Sequence, residues 1–287
     1  MLIGCYRLNN GKWERFDVIS KTESTIWTKR FYEVGSFQMT IKNNIFKKYD
    51  LISHDGKCGI VMRVQETWQG CNVYGYDLKG IAHFRTMKEQ TISAGTNVET
   101  TLREWVTTCL LTGERAIEGL ILEEPQEMTK TFSEELTISE GAKLSDVLEE
   151  QCKKYGIGWD ITFNKGVLTF SFIEPRDNPD IVFSRKHRTL EGAERILDAY
   201  DEVNNSGTGI FRREGDTITE ASDYITGTAT PKAVGYLLGD NVKVEEFGLA
   251  ASQQVTEMQF VYEPNNIIVV PSFGEVKKNI IKKLMKG

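Results

Sequence analysis

Over its first 94 residues the chain alternates apolar and polar side chains in short runs broken by turn pairs. That period of two constrains the fold more than any other feature. Residues 36–42 place Phe37, Met39 and Ile41 on one face and Ser36, Gln38, Thr40 and Lys42 on the other, as a half-buried strand requires. Residues 57–66 repeat the pattern with Cys58, Ile60, Met62 and Val64 facing inward. Asn10-Gly11, Asp55-Gly56 and Gln69-Gly70 supply the turns, because these dipeptides tolerate the left-handed backbone of a tight hairpin. Several strands this short at this spacing predict a small antiparallel barrel or sandwich over residues 1–94.

The period changes at Thr96. Thr96-Asn97-Val98-Glu99 reads as a capping box in which the threonine hydroxyl and the Glu99 carboxylate satisfy orphan amides of a first helical turn. Val98, Leu102, Trp105 and Cys109 then fall on one stripe, and Gly113 supplies a stop. A second helix is predicted where Leu144, Val147, Leu148, Gln151, Cys152 and Tyr155 recur at helical spacing ahead of Gly156. Its packing partner is a hairpin, residues 157–163 and 167–173, which turns Leu168, Phe170 and Phe172 to one side. Residues 95–175 therefore form a two-helix α/β domain. Pro175, Asp177, Asn178 and Pro179 end any regular element there and mark a boundary. Beyond it, residues 242–246, 254–262 and 267–270 are the best strand candidates in a second β-rich domain, 176–275, able to return strands to the first. Residues 276–287 read as a basic amphipathic tail, with Val276, Ile280 and Leu284 set against five lysines. Its apolar stripe is too short to be stable alone and predicts docking on a partner.

Composition excludes whole classes of function. Hydrophobic residues at 40% and charged residues at 26% are those of a folded globular chain. The longest aliphatic run is four residues, 267–270, far below the roughly 20 that span a bilayer, so no stable membrane insertion is expected. Five scattered cysteines, Cys5, Cys58, Cys71, Cys109 and Cys152, cannot complete a disulfide set and are read as reduced, mostly buried side chains of a protein made in a cytoplasm. The net charge of −6 argues against a dedicated nucleic-acid binder. It is unevenly laid out: residues 1–94 and 276–287 each carry an excess of five positive charges, while 95–192 and 193–275 carry excesses of seven and nine negative ones.

No motif assembles a catalytic centre. His54, His83 and His187 lie far apart, and none has zinc-ligand spacing. There is no Walker loop and no nucleophile elbow, and Gly207-Thr208-Gly209 lacks a third glycine. The adjacent acids Glu123-Glu124, Glu134-Glu135 and Glu149-Glu150 suggest a glycosidase, but neighbours in sequence point about 100° apart on a helix. Glu149 and Glu150 are better explained as the solvated face opposite Leu144 and Leu148. No cofactor and no metal are expected.

Three ordered motifs carry a resemblance. Trp27-Thr28-Lys29-Arg30-Phe31-Tyr32-Glu33-Val34-Gly35-Ser36-Phe37-Gln38-Met39-Thr40-Ile41 follows the pattern W-[ST]-x-[RK]-[FY]-x-x-x-G-x-F-x-[LM]-x-[IL]. Gly75-Tyr76-Asp77-Leu78-Lys79-Gly80 resembles G-R-D-L-x-G with tyrosine for arginine. Leu238-Gly239-Asp240-Asn241-Val242, then Val255-Thr256-Glu257 and Pro271-Ser272-Phe273-Gly274, resemble C-terminal G-D-x-V, V-T-E and [PT]-x-F-G elements. In this order they resemble the baseplate hub family of phage tails, the tail proteins of Gram-positive phages and prophages, similar to the hubs of Mu-like phages and tail-like bacteriocins.

The resemblance implies a mainly β chain in which two small antiparallel β-barrel domains flank or enclose the α/β domain. It implies a structural protein without catalytic activity, located in the virion tail baseplate or a phage-like particle and synthesised in the bacterial host cytoplasm. It further implies a homotrimer whose pseudo-sixfold ring adapts a hexameric tail tube, or tube-initiator protein, to a trimeric spike or the tape-measure protein. DNA would pass only in transit, and the acidic middle of the chain would line its channel. A tail-associated cell-wall hydrolase and a carbohydrate-binding receptor module are the alternatives. The composition of residues 30–35, aromatic with an arginine, is that of an interface hot spot. Arg30, Phe31, Tyr32, Glu33 and Gly35 are therefore expected at a subunit contact, together with Asp77, Asp240, Ile280 and Leu284.

Overall fold

The computed structural model describes residues 2–114, 116–200, 219–264 and 266–275. The chain divides into two compact units, one made of Met1–Pro175 and Gln259–Ile268, the other running from Arg176 to Met258 and on from Val269. Each is mainly β.

In the first unit, β1 (Ile3–Asn9) and β2 (Lys12–Ile19) form a hairpin over Asn10 and Gly11, whose φ angles of 49° and 77° suit that turn. β3 (Ser24–Arg30), β4 (Ser36–Ile41), β5 (Leu51–His54), β6 (Lys57–Thr67) and β7 (Gly70–Asp77) complete the run of short strands. Their order is β3-β4-β7-β6-β5-β1-β2. The register of β6 against β7 shifts between Val61 and Arg63, and such a bulge re-aims the side chains beyond it. β6 is buried on both faces up to Val61, and beyond it Met62 and Val64, expected inward from strict alternation, are half-buried.

A 3₁₀ turn, Leu78–Phe84, follows β7 directly. β8 (Gln90–Ile92) leads to α1 (Val98–Val106), which continues as a π-helical turn, Thr107–Leu111. The cap of α1 is Asn97 rather than Thr96: its Oδ1 accepts the Thr100 amide at 2.9 Å. Glu99 is buried instead and accepts the amides of Gln126 (2.6 Å) and Met128 (2.8 Å). A carboxylate holding the loop that passes the helix cannot also close a capping box. β9 (Leu120–Leu122) pairs parallel with β12 (Val167–Ile173), β10 (Leu136–Ile138) pairs with β8, and α2 (Leu144–Tyr155) precedes β11 (Gly158–Asn164), the hairpin partner of β12. α2 ends as its sequence predicts, with Gly156 left-handed at φ 61°. One apolar cluster runs from Val34, Leu51 and Leu78 through Leu102, Trp105 and Leu148 to Trp159 and Phe172, so the short strands and the two helices share a core.

The second unit contains β13 (Asp177–Phe183), β14 (Leu190–Tyr200), β15 (Thr219–Ala229) and β16 (Asn241–Val244). It also holds most of β17 (Ala251–Glu263) and β18 (Asn266–Glu275). The order is β14-β15-β18-β17, with β16 on β17 and β13 parallel to β16. β13 passes through Pro179 where a break is predicted, because its register with β16 skips between Asn178 and Val182 and the missing amide is never asked to pair. Phe183 anchors this unit's core, its ring 4.8 Å from that of Tyr236 and 4.7 Å from that of Phe273.

Among the described residues no sheet closes into the small barrel that the strand spacing predicts. The pairing ends on β2, which touches only β1, and on β14, which touches only β15. β2 carries Lys12, Glu14, Arg15 and Asp17, all exposed, and a charged edge resists further pairing. No helix among the described residues is long and apolar enough to cross a membrane. Ile280 and Leu284, with the whole predicted docking tail, lie outside the described residues.

Candidate functional site

The first two motifs, separated by 33 residues in sequence, fold into one cluster. β3 and β4 place Trp27 opposite Phe37, and the rings stack with centroids 5.2 Å apart. Gly35 follows the loop between them. A Cβ there would lie 2.2 Å from the Thr28 carbonyl oxygen and 2.6 Å from Asp77 Oδ2, so only glycine lets β4 approach β7. Gly75 is fixed the same way, since its Cβ would lie 2.0 Å from the Ile60 carbonyl oxygen.

Lys79, 1% exposed, comes up beneath the loop from the 3₁₀ turn. Its Nζ donates to the carbonyls of Arg30 (2.6 Å), Phe31 (3.0 Å) and Glu33 (3.1 Å) and lies 4.9 Å from the Trp159 ring centroid. Trp159 Nε1 donates to the Tyr32 carbonyl at 2.6 Å, and Glu149 Oε1 on α2 accepts the Val34 amide at 2.9 Å. Glu149 is thus a buried anchor of the loop, and the solvated face expected of it belongs to Glu150. Three elements converge on five loop residues, Arg30 to Val34, which fixes the loop backbone almost completely.

The charges beneath the loop are coupled. Asp77 is fully buried, and neither carboxylate oxygen has a hydrogen-bond partner of good geometry among the described residues. Burial pushes its carboxyl up to about 6 against the pull of Lys79 and Lys29. Burial likewise pushes the Lys79 ammonium down to about 8, with Asp77 resisting. Burial would lower Lys29 as well, but Asp160, with which it pairs directly, and Asp77 more than offset it and leave it raised. Desolvation favours the neutral forms and proximity the charged ones.

Arg30 and Phe31 are consequently inside the unit, at 9% and 1% exposure. Arg30 Nη1 donates to the Val34 carbonyl at 3.2 Å and its Nε lies 3.9 Å from Glu33 Oε2. The outer surface of the loop is formed by Tyr32 and Glu33, both half-buried. Asp240 is not brought to this cluster. It is 2% exposed in the second unit, where it accepts Arg176 through two bonds of 2.9 and 2.8 Å, Asn178 Nδ2 at 2.7 Å and the Leu237 amide at 2.8 Å. Each unit therefore buries one motif carboxylate of its own, and only that of the second unit is held by hydrogen bonds of good geometry among the described residues.

The remaining candidate chemistry is local too. His54 Nδ1 meets the Leu2 carbonyl at 2.8 Å and His83 Nδ1 meets Ser145 Oγ at 2.7 Å. Ser184 Oγ and Glu245 Oε2 approach the same His187 nitrogen, Nδ1, at 2.9 and 3.8 Å, whereas a proton relay needs the serine and the carboxylate on opposite ring nitrogens. No group of three metal-ligating side chains occurs among the described residues. The five cysteines are free thiols, and all but Cys109 are buried.

Lys79, Trp159 and Asp160 are the cluster residues that sequence reasoning passes over, and Glu149 is the one it places on the solvated face instead. Lys79 alone carries a signal, standing two residues from an acid inside a glycine-bounded motif.

Comparison with solved structures finds the same fold in phage tail proteins. Prophage tail protein gp18 from Listeria monocytogenes EGD-e aligns over 100% of this chain and 99% of its own, at 12% identity and TM-score 0.58. The 43 kDa tail protein of prophage MuSo2 from Shewanella oneidensis aligns over 95% and 97% (12%, 0.55), and the tail protein from Neisseria meningitidis MC58 over 95% and 96% (13%, 0.54). No match is found among curated proteins. The model of the Siphovirus ReqiPepy6 Gp37-like proteins matches residues 6–221. With that model covering most of the chain, the chain belongs to the family of Siphovirus ReqiPepy6 Gp37-like proteins and has the fold of phage tail proteins.

Proposed function

We propose that the chain is a baseplate hub: a homotrimer on the tail axis that adapts a hexameric tube to a trimeric spike and lines the central channel. One observation carries this reading. A single chain of a tail-protein family contains two β-rich units, each enclosing its own buried motif carboxylate. Three such chains supply six β units, the number a hexameric tube presents, and cyclic closure needs two different patches per subunit. In this reading residues 1–94 and 176–275 are the two ring-forming domains, barrel-like once neighbours cover the open edges β2 and β14, and residues 95–175 are the α/β domain between them. Tyr32 and Glu33 face a neighbouring subunit or tube protein, the acidic middle of the chain faces passing DNA without holding it, and residues 276–287 dock on the spike or tape-measure protein. The chain is made in the host cytoplasm and catalyses nothing.

A symmetry-resolved image of the native particle tests this directly. Three copies around the axis, with six β units in one ring, are expected; six copies, or a position off the axis, overturn the hub. Incubation of the pure protein with peptidoglycan should release neither reducing sugar nor free amines, and release at an enzyme-like rate would replace this reading with a wall hydrolase.

A further inference from the structure

The Lys29–Asp160 pair differs from every other lysine–carboxylate pair among the described residues. Its side chains are 14% and 17% exposed, whereas each of the others leaves a partner more than two-fifths open to solvent. It also bridges positions 131 residues apart, on β3 and β11. The two strands are fixed to each other close by. The Trp159 amide donates to the Phe31 carbonyl at 3.4 Å, and Trp159 Nε1 holds the next carbonyl, that of Tyr32. Lys29 Nζ donates to Asp160 Oδ2, which puts the nitrogen within one covalent bond of touching Cγ. The other oxygen, Oδ1, accepts the Ile161 amide at 2.9 Å.

Two lysines and two acids share this site, and they are not equivalent. Lys79 is held by three backbone carbonyls and meets no carboxylate directly. Asp77 is fully buried, with neither oxygen in a hydrogen bond of good geometry among the described residues, so it can take up and release a proton. Lys29 and Asp160 are both near enough for their charges to act on it. A buried ion pair has a second state of the same net charge, in which the proton has crossed to give amine and acid, and desolvation favours that state. A neutral lysine amine is a nucleophile. Groups held in fixed contact react as though at roughly 10⁵ M or more, so a small neutral population suffices.

We propose that Lys29 and Asp160 join in an isopeptide bond that forms after folding and ties β3 to β11. The Lys29 ammonium first passes a proton to Asp160 Oδ2. The amine lone pair then attacks Cγ and forms the C–N bond, while a carbonyl electron pair moves to Oδ1, where the Ile161 amide stabilises the charge. Asp77 takes a proton from the nitrogen and delivers it to the Oδ2 hydroxyl. The electron pair on Oδ1 returns, the Cγ–Oδ2 bond breaks, and Oδ2 leaves as water. Nothing is oxidised or reduced, and no co-reactant is consumed. Escape of the water from a largely buried site makes the step one-way. The bond needs only the fold of the first unit, so it stands or falls apart from the hub reading.

The mass of the natural full chain, purified and denatured, decides the matter. It should lie below the mass of the sequence by one water. A tryptic digest should contain the peptides around Lys29 and Asp160 as one branched species, uncut after Lys29, with fragment ions that place the link at those two residues. Lys29→Arg keeps a cation beside Asp160 but forbids the bond, and should restore the full mass. Asp160→Asn should release ammonia in place of water and arrive at the same joined product. Asp77→Asn should slow joining, followed by mass from the time of synthesis, about a hundredfold, and unchanged speed would remove Asp77 from the step. The full sequence mass in the natural chain overturns the proposal. So does a lost water without the branched peptide, or a link through any other pair of residues.

Discussion

An ammonium that donates to three backbone carbonyls at 1% exposure has exchanged water for a full set of protein acceptors. Its removal leaves three carbonyls short of a donor and Asp77 without the cation that acts on it most strongly. Lys79→Met should therefore cost about 3–5 kcal/mol, the range for breaking a buried charge pair from one side, read as a fall in the urea midpoint of the first unit. A loss under about 1 kcal/mol would mean that the loop holds its shape without the lysine. Asp77 makes a second prediction with a definite sign. Its folded-state carboxyl, at about 6, lies above the ordinary 3.8, so its contribution to stability is fully present below pH 3.8 and is lost as pH rises through 6. Other carboxylates push the opposite way, so the useful quantity is the stability of the natural chain minus that of Asp77→Asn. That difference should grow as pH falls from 7 to 4, and a flat difference would place Asp77 at its ordinary value. At this scale the sequence was legible in identity but not in burial: the motif names Arg30, Phe31 and Asp77, but loop composition predicts exposed side chains where Arg30 and Phe31 are buried. Burial here depends on Trp159 and Glu149, more than 100 residues downstream, which no local pattern reveals.

Elements whose hydrophobic period stands alone were readable, and those whose ends or registers depend on a distant partner were not. α2 keeps Leu144, Val147, Leu148, Gln151 and Cys152 buried and ends on a left-handed Gly156, all local facts. The cap of α1 shifted from Thr96 to Asn97 because Glu99 was drawn to the amides of Gln126 and Met128. The inward face of β6 changed at a bulge set by β7, and β13 ran through Pro179 because the strand beside it skips there. The approach of β11 to the loop gives this scale its prediction. A Cβ on Gly158 would lie 2.2 Å from the Phe31 ring, and Phe31, being fully buried, has no free rotamer to yield. Gly158→Ala should destabilise by about 1–3 kcal/mol, the usual cost of overpacking a core, with Phe31→Leu restoring part of it in the double variant. Strict additivity of the two substitutions would show that ring and glycine do not meet.

For the molecule as a whole, the informative feature is that its first compact unit is not continuous in sequence. Residues 259–268, the tip of the β17–β18 hairpin, belong to it, although local composition there says no more than strand, turn, strand. The chemistry of the contact is specific. The Lys57 ammonium lies 4.2 Å from the Phe260 ring centroid, and Tyr262, 3% exposed, meets the His54 ring edge-on at 4.9 Å. A fragment ending at residue 175 keeps both motifs of the cluster and both helices but uncovers the strand surface beneath those two rings. Burial of a large aromatic contributes about 1.5–3 kcal/mol, so the fragment should fold and still lose about 3 kcal/mol relative to the same unit in the full chain. For a unit of this size that corresponds to a melting temperature lower by roughly 6–12 °C. Hydrogen exchange locates the loss: amides of β5 and β6 should exchange faster in the fragment, while those of α2 and β11, which pack on the loop cluster instead, should change little. A fragment that melts with the full-length unit, with β5 and β6 equally protected, would show that the hairpin tip rests on the first unit without stabilising it.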